Sequence, residues 1–349
     1  MQLVVRADAG VEIGTGHVLR CLAIAQAWQA AGGSVTFILA TSTLADRLNT
    51  EGIEVKYLLA EPGTTEDAIQ TLRITQEQQA EWLVVDGYSF GSEYQKLIKQ
   101  AGVRLLVLDD CGHGNDYVAD LVLNQNISAD QDLYRQRAPY TKLLLGSTYT
   151  LLRREFWPWR NWQRVINSTA YKLLVTLGGS DPDNVTLKVV QALEWLGTDD
   201  LEVLVVIGGA NPYFQVLEKQ ISASNLAISA HRNVRQMPEL MAWADLAIAG
   251  GGSTNWELAF MGLPSLVITI AENQRLIAAE LARQQVIVHL GWHQELSLEQ
   301  IARGVQALIG DRCQRAAMSQ KGRNLVDGNG VQLVVSAMLS QKNIPSPIV

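Results

Sequence analysis

Residues 3–17 read LVVRADAGVEIGTGH, and this stretch decides the fold that the rest of the chain is expected to adopt. The apolar run at 3–5 predicts a strand, and apolar residues at helical spacing from Val18 to Trp28 predict a helix after a glycine-rich loop. Glycines let a backbone approach a ligand closely, and the positive end of a helix attracts anions and favours a neutral imidazole. Since His17 falls in the first helical turn, the stretch predicts an anion site or a histidine base. The alternative is a surface histidine on an ordinary strand–turn–helix.

The composition indicates an ordinary soluble globular protein. The chain has 349 residues, of which 48% are hydrophobic and 18% charged, and its length suits two domains. The net charge of −7 argues against general binding of nucleic acid, which needs a basic face. Cys21, Cys111 and Cys313 form neither a disulfide framework nor a zinc pattern, so a reducing cytoplasm is the expected location. We find neither a signal peptide nor an apolar run of the roughly 18 residues that a membrane span requires.

The first half of the chain alternates strand-like and helical segments. Strands are predicted at 3–5, 35–39, 53–57, 82–85, 105–108, 120–123 and 142–145. Because these apolar runs do not alternate with polar residues, they are typical of a parallel sheet that helices cover on both faces. Ligands of such open α/β sheets bind at the carboxyl ends of the strands. The polar side chains at the predicted strand ends are Arg6, Asp8, Asp86, Tyr88, Asp109, Asp110 and Asn124.

Two other motifs in this half compete with that interpretation. Gly14 and Gly16 begin a dinucleotide fingerprint, but Leu19 stands where the third glycine belongs and the loop is too long, so a NAD(P) site is not favoured. Asp109, Asp110 and His113 are candidate metal ligands without a second ligand pair elsewhere in the sequence. We favour a loop that caps a helix or holds a ligand, and expect no metal.

The alternation restarts after residues 149–170, which contain a proline and three tryptophans near arginines. We predict a linker between two domains there, packed at the domain junction, with contact to a membrane surface as the alternative. Strands are then predicted at 172–177, 202–207, 226–229, 245–249, 265–270 and 286–290. Asn184 is the predicted cap of a helix at 185–196. After the last strand at 286–290, the residues to about 338 are predicted to be helical, and 343–349 to form a loose tail.

Two glycine loops follow strands in the second half, at 250–254 (GGGST) and 178–181 (GGSD). The backbone N–H groups and hydroxyls of such loops form a cradle for an anion. Glu257 lies four residues beyond Ser253 on the same helix face, where a carboxylate suits a ribose diol. The two loops together favour a nucleotide diphosphate site over glycines that serve only tight helix–sheet packing.

Seven motifs together resemble a known family: 6–8 (RAD), 13–22 (IGTGHVLRCL), 85–88 (VDGY), 108–110 (LDD), 178–182 (GGSDP), 250–257 (GGGSTNWE) and 271–274 (AENQ). From about residue 1 to about 330 the chain is similar to the UDP-2,4-diacetamido-2,4,6-trideoxy-β-L-altropyranose hydrolases of pseudaminic acid biosynthesis. These are relatives of the GT-B glycosyltransferases, such as the peptidoglycan transferase MurG. The resemblance implies a GT-B fold, an α/β architecture of two Rossmann-like domains whose parallel sheets face each other across a cleft.

The resemblance also implies a division of labour along the chain. We expect an N-terminal Rossmann-like domain at 1–148 with the catalytic histidine and the sugar side, and a linker at 149–170. A C-terminal Rossmann-like domain at 171–325 is expected to bind UDP, followed by a helix and tail at 326–349. The implied reaction is inverting hydrolysis of a UDP-sugar at the anomeric carbon, giving UDP and free sugar without a required metal or other cofactor.

Site residues follow from the matched motifs. His17 matches the family's catalytic histidine and is expected to act as the base on water, with Asp8 orienting its imidazole. Tyr88 matches an Asp-x-Tyr motif, and Asn273 and Gln274 match a Glu-Asn-Gln motif; these three are expected to hold acetamido groups or ring oxygens. Arg6 or Arg20 is expected at the phosphates, with a solvated helix position as the alternative for Arg20. Ser253, Thr254 and Glu257 match the nucleotide helix. The remaining expected substrate contacts are Gly14, Gly16, Gly179, Ser180, Val234 and Gly252.

Two other functions stay open. A glycosyltransferase would use the same UDP site but needs an acceptor, for which the tryptophan-rich segment at 157–162 is the only candidate surface. That segment departs from the family's pattern, as does Asn255, and both leave the sugar open. A protein that only binds nucleotides would keep the glycine loops and have no use for His17. We expect a monomer or weak dimer with UDP-sugar and UDP as its ligands, no nucleic-acid partner and no stable membrane insertion.

Overall fold

The computed structural model describes residues 1–197 and 200–341, and the chain divides into two units. Unit 1 consists of Met1–Arg154 and Asn329–Val349, and unit 2 of Glu155–Gly328. The segment at 149–170, which we predicted as a separate linker, is thus shared between the units, and the C-terminal helix belongs to unit 1. The predicted loose tail at 343–349 lies outside the described residues.

Unit 1 is built on a parallel sheet. Its strands are β1 (Gln2–Ala7), β2 (Ser34–Leu39), β3 (Glu54–Tyr57), β4 (Trp82–Asp86), β5 (Arg104–Leu108), β6 (Leu121–Asn124) and β7 (Lys142–Leu145). They lie in the order β3-β2-β1-β4-β5-β6-β7, and every neighbouring pair is parallel. The seven strands predicted for this half are therefore confirmed, as is their parallel arrangement. The central strands are almost entirely buried, as continuous apolar runs predict.

In the described residues, five α-helices accompany this sheet. They are α1 (Gly16–Ala30), α2 (Ala45–Thr50), α3 (Thr65–Glu77), α4 (Ser92–Gln100) and the C-terminal α12 (Gly330–Ser340). Helix α3 begins where the hydroxyl of Thr64 accepts a hydrogen bond from the N–H of Asp67. Helix α12 packs against α1. A side chain at Gly330 would collide with the backbone of Thr150, so glycine there permits the close approach of α12.

Unit 2 repeats the architecture with six strands. They are β8 (Lys172–Thr176), β9 (Glu202–Ile207), β10 (Ala227–Arg232), β11 (Leu246–Gly250), β12 (Ser265–Thr269) and β13 (Val288–Trp292). They lie in the order β10-β9-β8-β11-β12-β13, and all pairs are parallel. Its helices are α5 (Val185–Leu196), α6 (Phe214–Ala223), α7 (Met237–Trp243), α8 (Thr254–Phe260), α9 (Arg275–Arg283), α10 (Leu298–Gly310) and α11 (Arg312–Leu325).

Three local predictions in unit 2 need correction. Asn184 does not cap α5: its backbone is left-handed and its side chain makes no cap bond. The carboxylate of Asp181 caps the helix instead, accepting from the N–H groups of Val185 and Thr186 at 2.8 Å each. Strand β10 continues three residues beyond its predicted end because pairing with β9 extends to its polar residues. Strand β13 begins two residues later than predicted, beside an irregularity in its pairing with β12.

The part of the predicted linker from Glu155 onward belongs to unit 2 and packs there. The buried ring of Phe156 lies 6.2 Å from that of Phe260, centroid to centroid. The guanidinium of Arg164 donates to the carbonyls of Met241, Ala244 and Met261. Burial lowers the pKa of Arg164 to about 9, although the charge of Asp245 opposes the shift. These contacts agree with a packing role for the segment.

In the described part of the chain, no helix combines the length and the apolar character that crossing a bilayer requires.

Candidate active site

His17 is held by a carboxylate at the centre of the unit 1 sheet. It lies in the first turn of α1, and β4, which ends at Asp86, is the neighbour of β1 in the sheet. This adjacency brings His17 Nδ1 to 2.7 Å from Oδ1 of Asp86. Because an ionised carboxylate only accepts hydrogen bonds, Nδ1 carries a proton, and in the neutral imidazole Nε2 is then the nitrogen with the lone pair. The pair therefore presents Nε2 as a proton acceptor.

Asp86 is ionised and held by several hydrogen bonds. Its carboxylate is buried and accepts hydrogen bonds from Arg20 Nε at 2.5 Å and Arg20 Nη2 at 2.6 Å. Burial raises the pKa of Asp86, but the charges and hydrogen bonds of Arg20 and His17 outweigh burial and hold that pKa well below its usual range. Asp86 thus remains a carboxylate at working pH and fixes the orientation of the imidazole.

Arg20 is enclosed by two carboxylates. Besides Asp86, it donates from Nη1 to Oδ1 of Asp110 at 2.5 Å. The two carboxylates raise its pKa, although burial opposes them. The alternative of a solvated position for Arg20 is therefore wrong, because its guanidinium is buried and links the ends of β4 and β5. The phosphate contact stays a prediction.

Asp8 and Arg6 form a separate buried network. Asp8 accepts from Arg6 Nη1 and from the N–H of Ala40, both at 2.6 Å, and the rest of the Arg6 guanidinium is bonded to Asp67. Arg6 is fully buried. Asp8 therefore does not orient His17, a role that Asp86 takes, and Arg6 has no face left for a phosphate. Sequence reasoning noted Asp86 among the strand-end residues but missed its pairing.

Tyr88 stands between two histidines. Its ring meets those of His17 and His113 edge-on, at centroid distances of 5.4 and 5.2 Å. Its hydroxyl donates to Asp110 at 3.0 Å, and 41% of the residue is exposed. The structure thus brings Tyr88 beside His17 with part of its ring open to a ligand.

Asp109 anchors the loop after β5. Its Oδ1 accepts from the N–H groups of Asp110, Cys111 and Gly112 and from Nδ1 of His113, at 2.5–3.1 Å, and its Oδ2 accepts from the hydroxyl of Tyr117. Ligand atoms of Asp109, Cys111 and His113 lie within 4.8 Å of one another, as in a metal site. The hydrogen bonds show that the Asp109 carboxylate anchors the loop, and the expectation of no metal there stays a prediction.

This anchor predicts an acid-dependent loss of stability. Burial raises the pKa of Asp109, but hydrogen bonds from His113, Tyr117 and Cys111 outweigh burial and lower it to about 2. A lowered pKa stabilises the fold above the unfolded value of about 3.9 and ceases to do so as the pH falls through the folded value. We expect the difference in free energy of unfolding between the wild type and the Asp109→Asn variant to be about 2 kcal/mol larger near pH 7 than near pH 2.5.

Urea unfolding at the two pH values measures this difference. The matched control is Asp132→Asn, which removes an exposed carboxylate paired with Arg135 and should change stability little at either pH. A gap between wild type and Asp109→Asn that stays constant from pH 7 to pH 2.5 would show that the ionised form carries no special stabilisation.

Two side chains hold the glycine loop at 250–254 in place. Gln274 Oε1 accepts from the N–H groups of Gly251 and Ile270 at 3.0 Å, and Asn255 Nδ2 donates to the carbonyls of Gly250 and Gly252. The oxygen of Gln274 therefore supports the loop, and the expected contact between Gln274 and the sugar stays a prediction. Ser253 precedes α8, Thr254 begins it and Glu257 follows one turn later; Asn273 adjoins Gln274.

The glycine loop at 178–181 precedes a helix end that Asp181 itself caps. The carboxylate of Asp181 accepts from the first free N–H groups of α5, so these two groups already have a partner, and the anion site predicted for this loop stays a prediction. Gly179 and Ser180 lie beside the turn after β9, where the N–H of Ala210 donates to the carbonyl of Gly179 at 3.1 Å. Val234 follows β10. In unit 1, Gly14 closes a small turn with Gly10, and Gly16 begins α1.

The chain resembles known proteins in sequence and in fold. Residues 173–330 match the glycosyltransferase family 28 C-terminal domain. The chain is 27% identical to the uncharacterized protein MJ1062 of Methanocaldococcus jannaschii over 79% of this chain and 57% of that protein, so it spans little more than half of MJ1062. It is 26% identical to the spore coat polysaccharide biosynthesis protein SpsG of Bacillus subtilis, over 97% of this chain and 98% of SpsG.

A third relative has the name that the motifs predicted. The chain is 24% identical to the UDP-2,4-diacetamido-2,4,6-trideoxy-β-L-altropyranose hydrolase of Campylobacter jejuni over 81% of this chain and 97% of that enzyme. Together with the domain match, this similarity confirms the resemblance that the sequence motifs indicated.

Solved structures confirm the GT-B fold. MurG of Acinetobacter baumannii aligns with a TM-score of 0.66 at 16% identity, over 97% of this chain and 100% of MurG. The spinosyn rhamnosyltransferase SpnG, solved with thymidine diphosphate, aligns with a TM-score of 0.66 at 17% identity, over 96% of this chain and 99% of SpnG.

Proposed function

We propose that this protein hydrolyses UDP-2,4-diacetamido-2,4,6-trideoxy-β-L-altropyranose, or a close analogue, at the anomeric C–O bond with inversion. The products are UDP and the free sugar. The observation that carries the proposal is the His17–Asp86 pair, in which a buried carboxylate holds the imidazole with Nε2 available as a base. The similarity to the Campylobacter hydrolase supports the choice of substrate.

His17 acts as the general base in the proposed reaction. The water oxygen forms a bond to the anomeric carbon as the bond from that carbon to the phosphate oxygen breaks, and the electron pair of the broken bond leaves with UDP. The proton of the water moves to His17 Nε2. Since water attacks the face opposite the leaving group, the configuration at the anomeric carbon inverts. Asp86 stabilises the imidazolium that forms, as a carboxylate does beside any catalytic imidazole.

Unit 2 provides the proposed UDP site. Backbone N–H groups around Gly252, with the hydroxyls of Ser253 and Thr254, take the diphosphate, whose leaving-group charge they spread without a metal. Glu257 takes the ribose diol, and Gly179, Ser180 and Val234 complete the nucleotide contacts. The match of residues 173–330 to a glycosyltransferase domain and the thymidine diphosphate bound to SpnG support this assignment.

The glycine loop gives a test of nucleotide binding alone. A methyl group added at Gly252 would meet only Nε2 of Gln274 within 4 Å, at 3.7 Å, so the fold accommodates it. We expect Gly252→Ala to weaken UDP binding about tenfold, because the methyl group obstructs the approach of a phosphate to the loop N–H groups. Isothermal titration with UDP measures the affinity. Gly310→Ala, which adds a methyl group in open space, is the control. Equal UDP affinity in both variants would show that the phosphates do not bind at the loop at 250–254.

A glycosyltransferase is the second candidate, because the GT-B neighbours include the transferases MurG and SpnG. The two functions differ in their need for an acceptor. The experiment is to incubate the protein with a panel of UDP-sugars, with and without sugar and lipid acceptors, and to follow UDP and free sugar by NMR. Release without acceptor supports the hydrolase; release only with an acceptor replaces it with a transferase.

A further inference from the structure

A cavity of about 310 Å³ opens beside Tyr88 within unit 1. It lies between the loops that follow β3, β4 and β5, at the carboxyl edge of the sheet. Gly63, Tyr88, Ser89, Ser92, His113 and Asn115 line it. Small-molecule pockets span about 300–1,000 Å³, so this cavity suits one sugar-sized group and not a long acceptor chain.

The walls of the cavity are preformed. The backbone of Gly63 is left-handed and approaches Ser89 so closely that a Cβ would lie 2.0 Å from the carbonyl oxygen of Ser89. The N–H of Gly63 donates to Asp67 at 3.0 Å, and the hydroxyl of Tyr94 donates to the same carboxylate at 3.2 Å. Since Arg6 also binds Asp67, the buried Arg6–Asp67 pair supports this side of the cavity.

His113 supplies a directed donor. Its Nδ1 donates to Asp109 at 3.0 Å, so Nε2 is the ring nitrogen left for a ligand, and the residue lines the cavity. Burial lowers the pKa of His113, but the hydrogen bond and charge of Asp109 outweigh burial and raise it, which favours the imidazolium, whose Nε2 also carries a proton. Nε2 has no hydrogen-bond partner in the described part of the chain. Two carboxylate–imidazole pairs, Asp86–His17 and Asp109–His113, therefore flank the ring of Tyr88. The Asp86–His17 pair provides the proposed base. The Asp109–His113 pair has no role in the proposed mechanism.

We propose that the cavity binds an acylamino substituent of the sugar, with His113 Nε2–H donating to the amide carbonyl and the exposed ring of Tyr88 covering the acyl methyl group. This inference rests on the proposed function and assigns one acylamino group of the proposed substrate to this cavity. The chemistry of the lining agrees with it, because Ser89, Ser92 and Asn115 add small polar groups that suit an amide, and Tyr88 adds one apolar wall.

Two substitutions at His113 separate binding of substrate from support of the loop. The amide nitrogen of asparagine reaches the place of Nδ1 and preserves the bond to Asp109, whereas that of glutamine reaches the place of Nε2. We expect His113→Asn to raise KM for the diacetamido substrate about tenfold with kcat and UDP affinity unchanged, and His113→Gln to restore KM within about threefold. A loop-support role predicts the reverse order, with His113→Asn like the wild type and His113→Gln lowered in melting temperature, and that result would overturn the proposal.

A binding experiment gives a readout that needs no turnover. The chain has five histidines, so imidazole NMR signals can be assigned with the His113→Asn variant. The probe is free 2,4-diacetamido-2,4,6-trideoxy-altrose, and its 2,4-diamino counterpart is the control. We expect the acetylated sugar to shift the His113 signals and the diamino sugar to leave them in place. Shifts without hydrolysis of any UDP-sugar retain the cavity assignment and reject the hydrolase; hydrolysis with unshifted His113 signals rejects the cavity assignment alone.

Discussion

The variant His17→Asn is expected to lose about 10²–10⁴-fold in kcat while it binds UDP with wild-type affinity. Asparagine can still donate a hydrogen bond to Asp86, since its amide nitrogen reaches the place of Nδ1. It has no atom that takes the proton which Nε2 accepts in the wild type. The loss should therefore fall on the chemical step and not on the nucleotide site, which we assign to unit 2.

Rates of UDP release and UDP titration measure the two properties separately. His289→Asn is a matched control, because His289 bonds to Thr269 between strands of unit 2 and has no part in the proposed chemistry. Near-normal turnover by His17→Asn would remove His17 as the base. His17→Leu, which also loses the contact with Asp86, should be at least as slow.

The variant Asp86→Asn is expected to combine a loss of activity with a loss of stability. A neutral amide no longer fixes the proton on Nδ1 of His17, and the same change at a catalytic imidazole elsewhere costs on the order of 10⁴-fold in kcat. Arg20 loses one of its two carboxylate partners while its guanidinium stays buried. Breaking a buried ion pair costs about 3–5 kcal/mol, so the free energy of unfolding should fall by that order.

A control variant at Asp120 separates the loss of activity from the loss of stability. Asp120 forms a 2.6 Å ion pair with Lys99 and accepts from the N–H of Leu105, but it precedes β6 and so lies at the amino edge of the sheet. Asp120→Asn should lower stability without changing kcat of the folded enzyme. The kinetics belong at a temperature where melting curves show each variant folded. If Asp86→Asn retains wild-type kcat there, Asp86 has no positioning role.

The strands were predictable because their signal is local. Runs such as Leu105–Leu108, apolar at every position, indicate a strand buried on both faces whatever its neighbours are. Alternation of such runs with helices then indicates parallel sheets. The carboxyl edge follows from the same reasoning, so the residues around the site were found together. The end of β10 and the start of β13 were not predicted, because the pairing of each strand with its neighbour, and not its own residues, sets that boundary.

The ion pairs were not predictable because they depend on strand order. Asp8 and Asp86 are both strand-end carboxylates, and only the adjacency of β1 and β4 decides which of them meets His17. Arg6 and Arg20 both fit a phosphate by charge, yet each is enclosed by carboxylates from distant parts of the chain. The cap of α5 shows the same limit, since Asn184 has the right chemistry but Asp181 has the right position.

Hydrolysis in H₂¹⁸O, without any acceptor, tests the central claim most directly. Wild-type protein is incubated with UDP-2,4-diacetamido-2,4,6-trideoxy-β-L-altropyranose, and the released UDP is analysed by mass spectrometry, because its oxygens do not exchange with water. Attack of water at the anomeric carbon predicts UDP without ¹⁸O, together with a free sugar whose first-formed anomer is inverted. UDP that contains ¹⁸O, or the absence of UDP release until an acceptor is added, would contradict the account.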